Sequence, residues 1–232
     1  MTELATRRFT SRPALESALE ERLARAIAAP SGAALMLSGG STPLPAYRAI
    51  GARAGLSPGA GFHLLYSDDR YVPADSPASN YHQTQPLLAA LALRSDAVLR
   101  VRTELPLEDA ARDYADQLAA LLRFGARIGL GLLGLGADGH TASLFSAADI
   151  ERAHGRLALA VHRPDGMSAV SVTPDLLARV AEPVFVVAGA DKRAAVARLL
   201  ARDPELTAWR AVAGCGRVEL WVDEAAAPAV AR

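Results

Sequence analysis

The chain is poor in cysteine and without a surplus of either charge, and each shortage removes a class of function. Cys215 is the only cysteine among 232 residues, so neither a disulfide framework nor a cysteine-based zinc site can be built, and a reducing, cytoplasmic setting is expected. On its own, Cys215 reads as a small buried apolar residue. Lys and Arg total 25 against 25 Asp and Glu, which gives no clustered basic footprint for a nucleic-acid partner. A local anionic ligand remains compatible with that balance. No apolar run approaches the length that spans a bilayer, so no membrane partner is expected. Met1 to Arg12 is polar with scattered arginines and lacks the apolar core of a signal peptide. His63, His82, His140, His154 and His162 show no paired ligand spacing, and no metal is expected. No dinucleotide cofactor is expected either, because no Gly-x-Gly-x-x-Gly with a suitably placed acid follows the first strand.

What the chain does have is a 51% hydrophobic composition and a repeated alternation of helical and strand-like patterns without a long linker. That length and pattern predict a single α/β domain over residues 1–232. Pro13 to Ala29 places Leu15, Leu19, Leu23 and Ile27 at helical spacing, and Pro30-Ser31-Gly32 closes the helix. Ala33 to Leu37 predicts a strand, a helix follows through Tyr47 and Ile50, and Phe62 to Tyr66 predicts a second strand. Pro106 to Phe124 puts Ala110, Tyr114, Leu118 and Leu121 on one helical face and leads to a strand over Leu130 to Leu133. Leu157 to Val161, Ala169 to Val172, Val184 to Ala188 and Val218 to Val222 are strand-like, whereas Asp175 to Val180 and Lys192 to Leu200 are helix-like. The sum predicts a predominantly parallel open sheet, Rossmann-like, with helices on both faces and functional loops at one edge.

Four polar segments follow these strands and so converge on one edge. In Ser38-Gly39-Gly40-Ser41-Thr42-Pro43, Gly39 and Gly40 expose backbone N–H groups, Ser41 and Thr42 add hydroxyls, and a helix start favours an anion. The same letters also suit an ordinary helix cap. Asp68-Asp69-Arg70 joins two carboxylates to a guanidinium in a loop, and Pro73 to Tyr81 continues as a lid or substrate-facing connection. Gly134 to Phe145 empties an apolar strand into a glycine-rich turn bearing Asp138, His140, Thr141 and Ser143. Gly189-Ala190-Asp191-Lys192 places a cation and free amides at another helix start.

These segments, occurring in this order with Val72-Pro73, Ser79-Asn80-Tyr81 and Trp221-Val222-Asp223-Glu224-Ala225-Ala226-Ala227, resemble the glucosamine-6-phosphate isomerase/6-phosphogluconolactonase family over nearly the full length. The resemblance to the lactonase branch implies hydrolysis of 6-phospho-D-glucono-1,5-lactone to 6-phospho-D-gluconate, the second step of the oxidative pentose phosphate pathway. It implies a metabolic link to glucose-6-phosphate dehydrogenase and no cofactor. The isomerase branch resembles Asp-Gly-His-Ile-Ala-Phe-Asn-Glu at the third segment, and Thr141 to Ser146 offers no such glutamate here.

Lactone hydrolysis needs a base for water, a donor for the carbonyl oxygen and a proton for the departing ring oxygen. An imidazole, which titrates near neutrality, can take and return that proton, and His140 is assigned as general base and then acid. Asp138 either orients the imidazole or binds a sugar hydroxyl. Asp68 matches an active-site acid of the wider family and is expected to meet sugar hydroxyls or the attacking water. Arg70 and Lys192 are the leading phosphate ligands, helped by Ser41, Thr42 and the amides of Gly39 and Gly40. One departure stands out: Ala169 occupies the place where the family commonly carries an arginine, and Arg163 is a candidate to compensate.

Overall fold

The computed structural model describes residues 2–29 and 32–228; Pro30 and Ser31, expected to close the first helix, lie outside the described residues. The chain runs β1 (Glu3–Phe9), α1 (Arg12–Ile27), β2 (Ala33–Leu37), α2 (Leu44–Ala52), β3 (His63–Tyr66), β4 (Asp68–Arg70), α3 (Asn80–Gln83), α4 (Gln85–Ala90) and α5 (Leu107–Arg123). It continues through β5 (Arg127–Leu133), α6 (Ala147–Arg152), β6 (Ala158–His162), β7 (Ser168–Val172), α7 (Pro174–Leu177), β8 (Val180–Val187), α8 (Arg193–Leu200), α9 (Thr207–Val212) and β9 (Arg217–Asp223).

Alternation along each central strand builds two cores. Leu35 and Leu37 of β2 and Val184 and Val186 of β8 face α1, where Leu15, Leu19, Leu23 and Ile27 are all buried. Their neighbours Ala34, Met36, Phe185 and Val187 face the opposite side with Ala110, Tyr114, Leu118 and Leu121 of α5. Strands buried on both faces read as continuous apolar runs, which is why Ala33 to Leu37 is recognisable from sequence. Each fully buried leucine of α1 contributes about 2 kcal/mol by transfer from water.

The main sheet has six strands in the order β1-β9-β8-β5-β2-β3, with every neighbouring pair parallel. From β2 the chain moves outward to β3, then returns to β5 on the other side of β2, so the crossovers diverge between β2 and β5. That divergence opens a crevice at the carboxyl ends of those strands. The segments after β2 and after β5 border it.

Several expectations need correction. β6 and β7 do not join the parallel sheet; with β4 they form a separate antiparallel sheet in the order β4-β7-β6. The connection between β6 and β7 is too short for a parallel crossover and closes instead as a turn, with Arg163 N–H donating to Met167 O at 2.8 Å. Asp68-Asp69-Arg70, expected as a loop, is therefore a strand paired with Ser171, Val170 and Ala169. The helix expected over Asp175 to Val180 ends at Leu177, and Val180 already belongs to β8. β1 was not anticipated at all: it is a largely exposed edge strand whose polar sequence hides the pairing with β9. Among the described residues, no helix is long and apolar enough to cross a membrane.

Candidate functional site

Past Leu133, the turn that carries the imidazole is shaped by two glycines. Gly139 adopts φ of +90°, and its N–H donates to Gly136 O at 3.0 Å. A Cβ on Gly136 would lie 2.1 Å from His140 Nδ1, so only glycine admits the ring in this place. Asp138 Oδ1 lies 2.5 Å from His140 Nδ1 and also accepts the His140 backbone N–H at 3.2 Å. A carboxylate at Nδ1 holds the proton there and leaves Nε2 as the free basic nitrogen. Phe145 packs against the imidazole with ring centroids 4.4 Å apart. Partial burial pushes the Asp138 carboxyl up, but the hydrogen bonds from the His140 ring and backbone together outweigh it and hold the group below the usual carboxylate range.

The two carboxylates at β4 have different tasks. Asp68, 7% exposed, borders the cleft and accepts hydrogen bonds from Ser67 Oγ at 2.8 Å and Ser143 Oγ at 2.7 Å. Asp69, 2% exposed, turns away and accepts from the backbone N–H groups of Asn80 at 2.7 Å and Tyr81 at 3.1 Å and from Ser79 Oγ at 3.0 Å. Burial drives the Asp69 carboxyl above its usual range against the pull of those donors. The segment ending in Ser79-Asn80-Tyr81 is thus tied to β4 rather than hinged over the site. Asn80 does face the cleft: its Nδ2 donates to Asp68 O at 2.8 Å, and a Cβ on Gly39 would fall 2.0 Å from its Oδ1.

The expected anion cradle borders the same cleft. α2 begins after Pro43 with no side-chain cap, so Ser41 and Thr42 do not spend their hydroxyls capping it. Ser38 Oγ is buried there without a partner among the described residues. Lys192 enters from the loop after β8, 3.5 Å from Asp191. That loop turns at Gly189, whose N–H donates to Asp223 Oδ1 at 3.1 Å, and the same oxygen accepts Ala226 N–H at 2.8 Å. Arg70 also lines the cleft, although its Nη1 donates to Ala78 O at 2.9 Å and Asn80 Oδ1 at 3.0 Å; its Nε is buried with no partner among the described residues.

Gly39, Gly40, Ser41, Thr42, Asp68, Arg70, His140 and Lys192 therefore surround one cavity of about 290 Å³, with Asp138 behind the imidazole. Sequence reasoning missed Ser143 and Phe145 as supports of Asp68 and His140, and gave Asn80 no contact. Ser143 had no pattern of its own to mark it, because its partner Asp68 is distant in sequence. Arg163 is brought to the cleft, whereas Ala169 is fully buried opposite Arg70 in the β4–β7 pair. Cys215 is buried, and its thiol is pushed up to about 11 by loss of water, so it has the character of a packing residue. Among the described residues, no group of three or more His, Cys, Asp or Glu is gathered to hold a metal ion.

Comparison with known proteins bears on this arrangement. Residues 10–220 match the family described as glucosamine-6-phosphate isomerases/6-phosphogluconolactonase. The 6-phosphogluconolactonase of Synechocystis sp. is 34% identical over 195 residues, which cover 79% of this chain and 78% of that protein. The solved structure of 6-phosphogluconolactonase from Trypanosoma brucei superposes with a TM-score of 0.82 at 23% identity, covering 97% of this chain and 98% of that one. A monomeric glucosamine-6-phosphate deaminase superposes with a TM-score of 0.81 at 16% identity, covering 96% of this chain and 98% of that one. Near-equal scores for the two activities mean that the fold is shared and does not choose between them.

Proposed function

Because the chain belongs to the glucosamine-6-phosphate isomerase/6-phosphogluconolactonase family, we propose that it hydrolyses 6-phospho-D-glucono-1,5-lactone to 6-phospho-D-gluconate in the cytoplasmic pentose phosphate pathway. It is an enzyme of the lactone-hydrolase type, as its curated relatives are. The observation that carries the mechanistic reading is the Asp138–His140 pair beside a cleft that is also lined by the Ser38–Pro43 loop, Arg70 and Lys192.

In this reading, Gly39, Gly40, Ser41, Thr42, Arg70 and Lys192 bind the 6-phosphate and fix the lactone, converting attack by water into a step between positioned groups. His140 Nε2 takes a proton from water as the oxygen bonds to C1, and Asp138 stabilises the resulting imidazolium through Nδ1. The tetrahedral intermediate then expels the ring oxygen, which takes the proton back from His140. Asp68, already oriented by Ser67 and Ser143, uses its remaining lone pairs for a sugar hydroxyl or the attacking water.

Freshly generated 6-phosphogluconolactone, followed as acid release above its spontaneous opening, tests the reaction, with glucosamine 6-phosphate as a parallel substrate. Turnover of the lactone alone is expected. Ammonia release from the amino sugar, with lactone opening at background, would transfer the chain to the other branch.

A further inference from the structure

Lactone hydrolysis develops negative charge on the carbonyl oxygen, and none of the groups assigned above meets it: the loop amides, Arg70 and Lys192 are engaged with phosphate. Arg163 borders the cleft at the start of the β6–β7 turn, with its side chain 14% exposed. Its guanidinium is held from one edge, where Nε and Nη2 both donate to Asp165, Nη2 at 2.8 Å. One face lies over the Phe145 ring, with the guanidinium carbon 5.2 Å from the ring centroid, and Phe145 in turn packs on His140. The remaining nitrogen, Nη1, reaches only Ser143 Oγ, at a long 3.5 Å, among the described residues. That same Ser143 hydroxyl donates to Asp68. The guanidinium is therefore pinned on its far edge, connected through one ring to the proposed base and through one hydroxyl to Asp68. Its Nη1 is left underused beside the cavity.

We propose that Arg163 Nη1 donates a hydrogen bond to the lactone carbonyl oxygen and stabilises its charge in the tetrahedral intermediate. This rests on the lactonase reading above. As water oxygen bonds to C1 and its proton passes to His140 Nε2, the carbonyl π pair moves onto that oxygen against the Nη1–H. Collapse restores the double bond, breaks the bond to the ring oxygen and delivers the imidazolium proton to it. Placement favours the reacting carbonyl over the phosphate, because Arg163 contacts the supports of His140 and Asp68 and, among the described residues, makes no hydrogen bond to Arg70 or to the loops after β2 and β8. A donor held in place before reaction pays no reorganisation as charge appears.

The test compares wild type, Arg163→Gln, Arg163→Lys and Asp165→Asn for kcat, KM and competitive inhibition by inorganic phosphate, with thermal melting as the folding control. Arg163→Gln is expected to lower kcat about 10²-fold, the scale for one lost oxyanion donor, with KM and phosphate inhibition changed less than about twofold. Arg163→Lys keeps the charge and is expected to recover part of kcat. Asp165→Asn keeps the guanidinium but loosens the edge that holds it, and is expected to lower kcat by less than Arg163→Gln does, with KM changed less than about twofold. Raised KM with weakened phosphate inhibition and intact kcat would make Arg163 a phosphate ligand and overturn the proposal. A kcat loss in Arg163→Gln that comes with a lowered melting temperature and is not recovered at all in Arg163→Lys would reduce it to a structural role, and an unchanged kcat in Arg163→Gln would remove it outright. A wild type without lactonase turnover overturns the underlying function as well, whereas an active wild type with an insensitive Arg163 overturns only this step.

Discussion

Two segments that border the same crevice carry aspartates and use them in opposite ways. After β5, Asp138 is 58% exposed and, among the described residues, hydrogen-bonds to a single side chain, the imidazole of His140. At β4, Asp69 is buried beneath the cleft and accepts hydrogen bonds from Asn80, Tyr81, Ser79 and the Arg70 backbone N–H. The two carboxyls are displaced in opposite directions: Asp69 upward by burial, and Asp138 downward because its bonds to His140 outweigh partial burial. One segment leaves its polar groups available for chemistry, and the other consumes them to hold Asn80 and Arg70 in place. Rigidity on one wall lets the other wall act on a fixed substrate.

Breaking the buried partner should cost the most. Asp69→Ala leaves several buried donors without an acceptor, and a loss of about 3–4 kcal/mol is expected in urea unfolding at neutral pH. Gly136→Ala inserts a methyl where the imidazole lies, so the ring must move; a kcat loss of about 10²-fold is expected in steady-state kinetics. Lys192→Ala removes a cradle cation, and KM is expected to rise about tenfold with kcat nearly unchanged.

The main sheet was legible because strands buried on both faces are apolar throughout: Ala33 to Leu37 and the strand ending at Leu133 announce themselves. The gathering of the candidate residues around one cleft was legible for a related reason, since glycines and polar residues at strand ends concentrate where the sheet opens. The antiparallel sheet was less readable. Ala158 to His162 and Ser168 to Val172 look like any buried strand, and only the short turn between them forbids a parallel crossover. β1 was hidden by its exposed polar residues. Ser143 was least visible as a site group, because its partner Asp68 meets it only through tertiary folding.

The opposite shifts of the two carboxyls sharpen the comparison with a smaller effect. A carboxyl lowered in the folded state adds stability that is present above its unfolded value, about 3.9, and fades as pH falls through the folded one. Asp138→Asn should therefore be less stable than wild type at pH 6, by under about 0.5 kcal/mol given its exposure, with the gap closing below about pH 4 in denaturation curves. A carboxyl raised by burial carries the reverse sign: the Asp69 contribution weakens as pH rises through its elevated value.

The most direct measurement is acid release from fresh 6-phosphogluconolactone by wild type and His140→Ala, with product binding followed in parallel by calorimetry. A fall in kcat of about 10²–10⁴-fold with product affinity preserved is the expected result, since the groups assigned to the phosphate are other than His140. Turnover surviving the substitution at its wild-type rate would contradict the assignment of His140 and, with it, the division of labour between the two walls of the cleft.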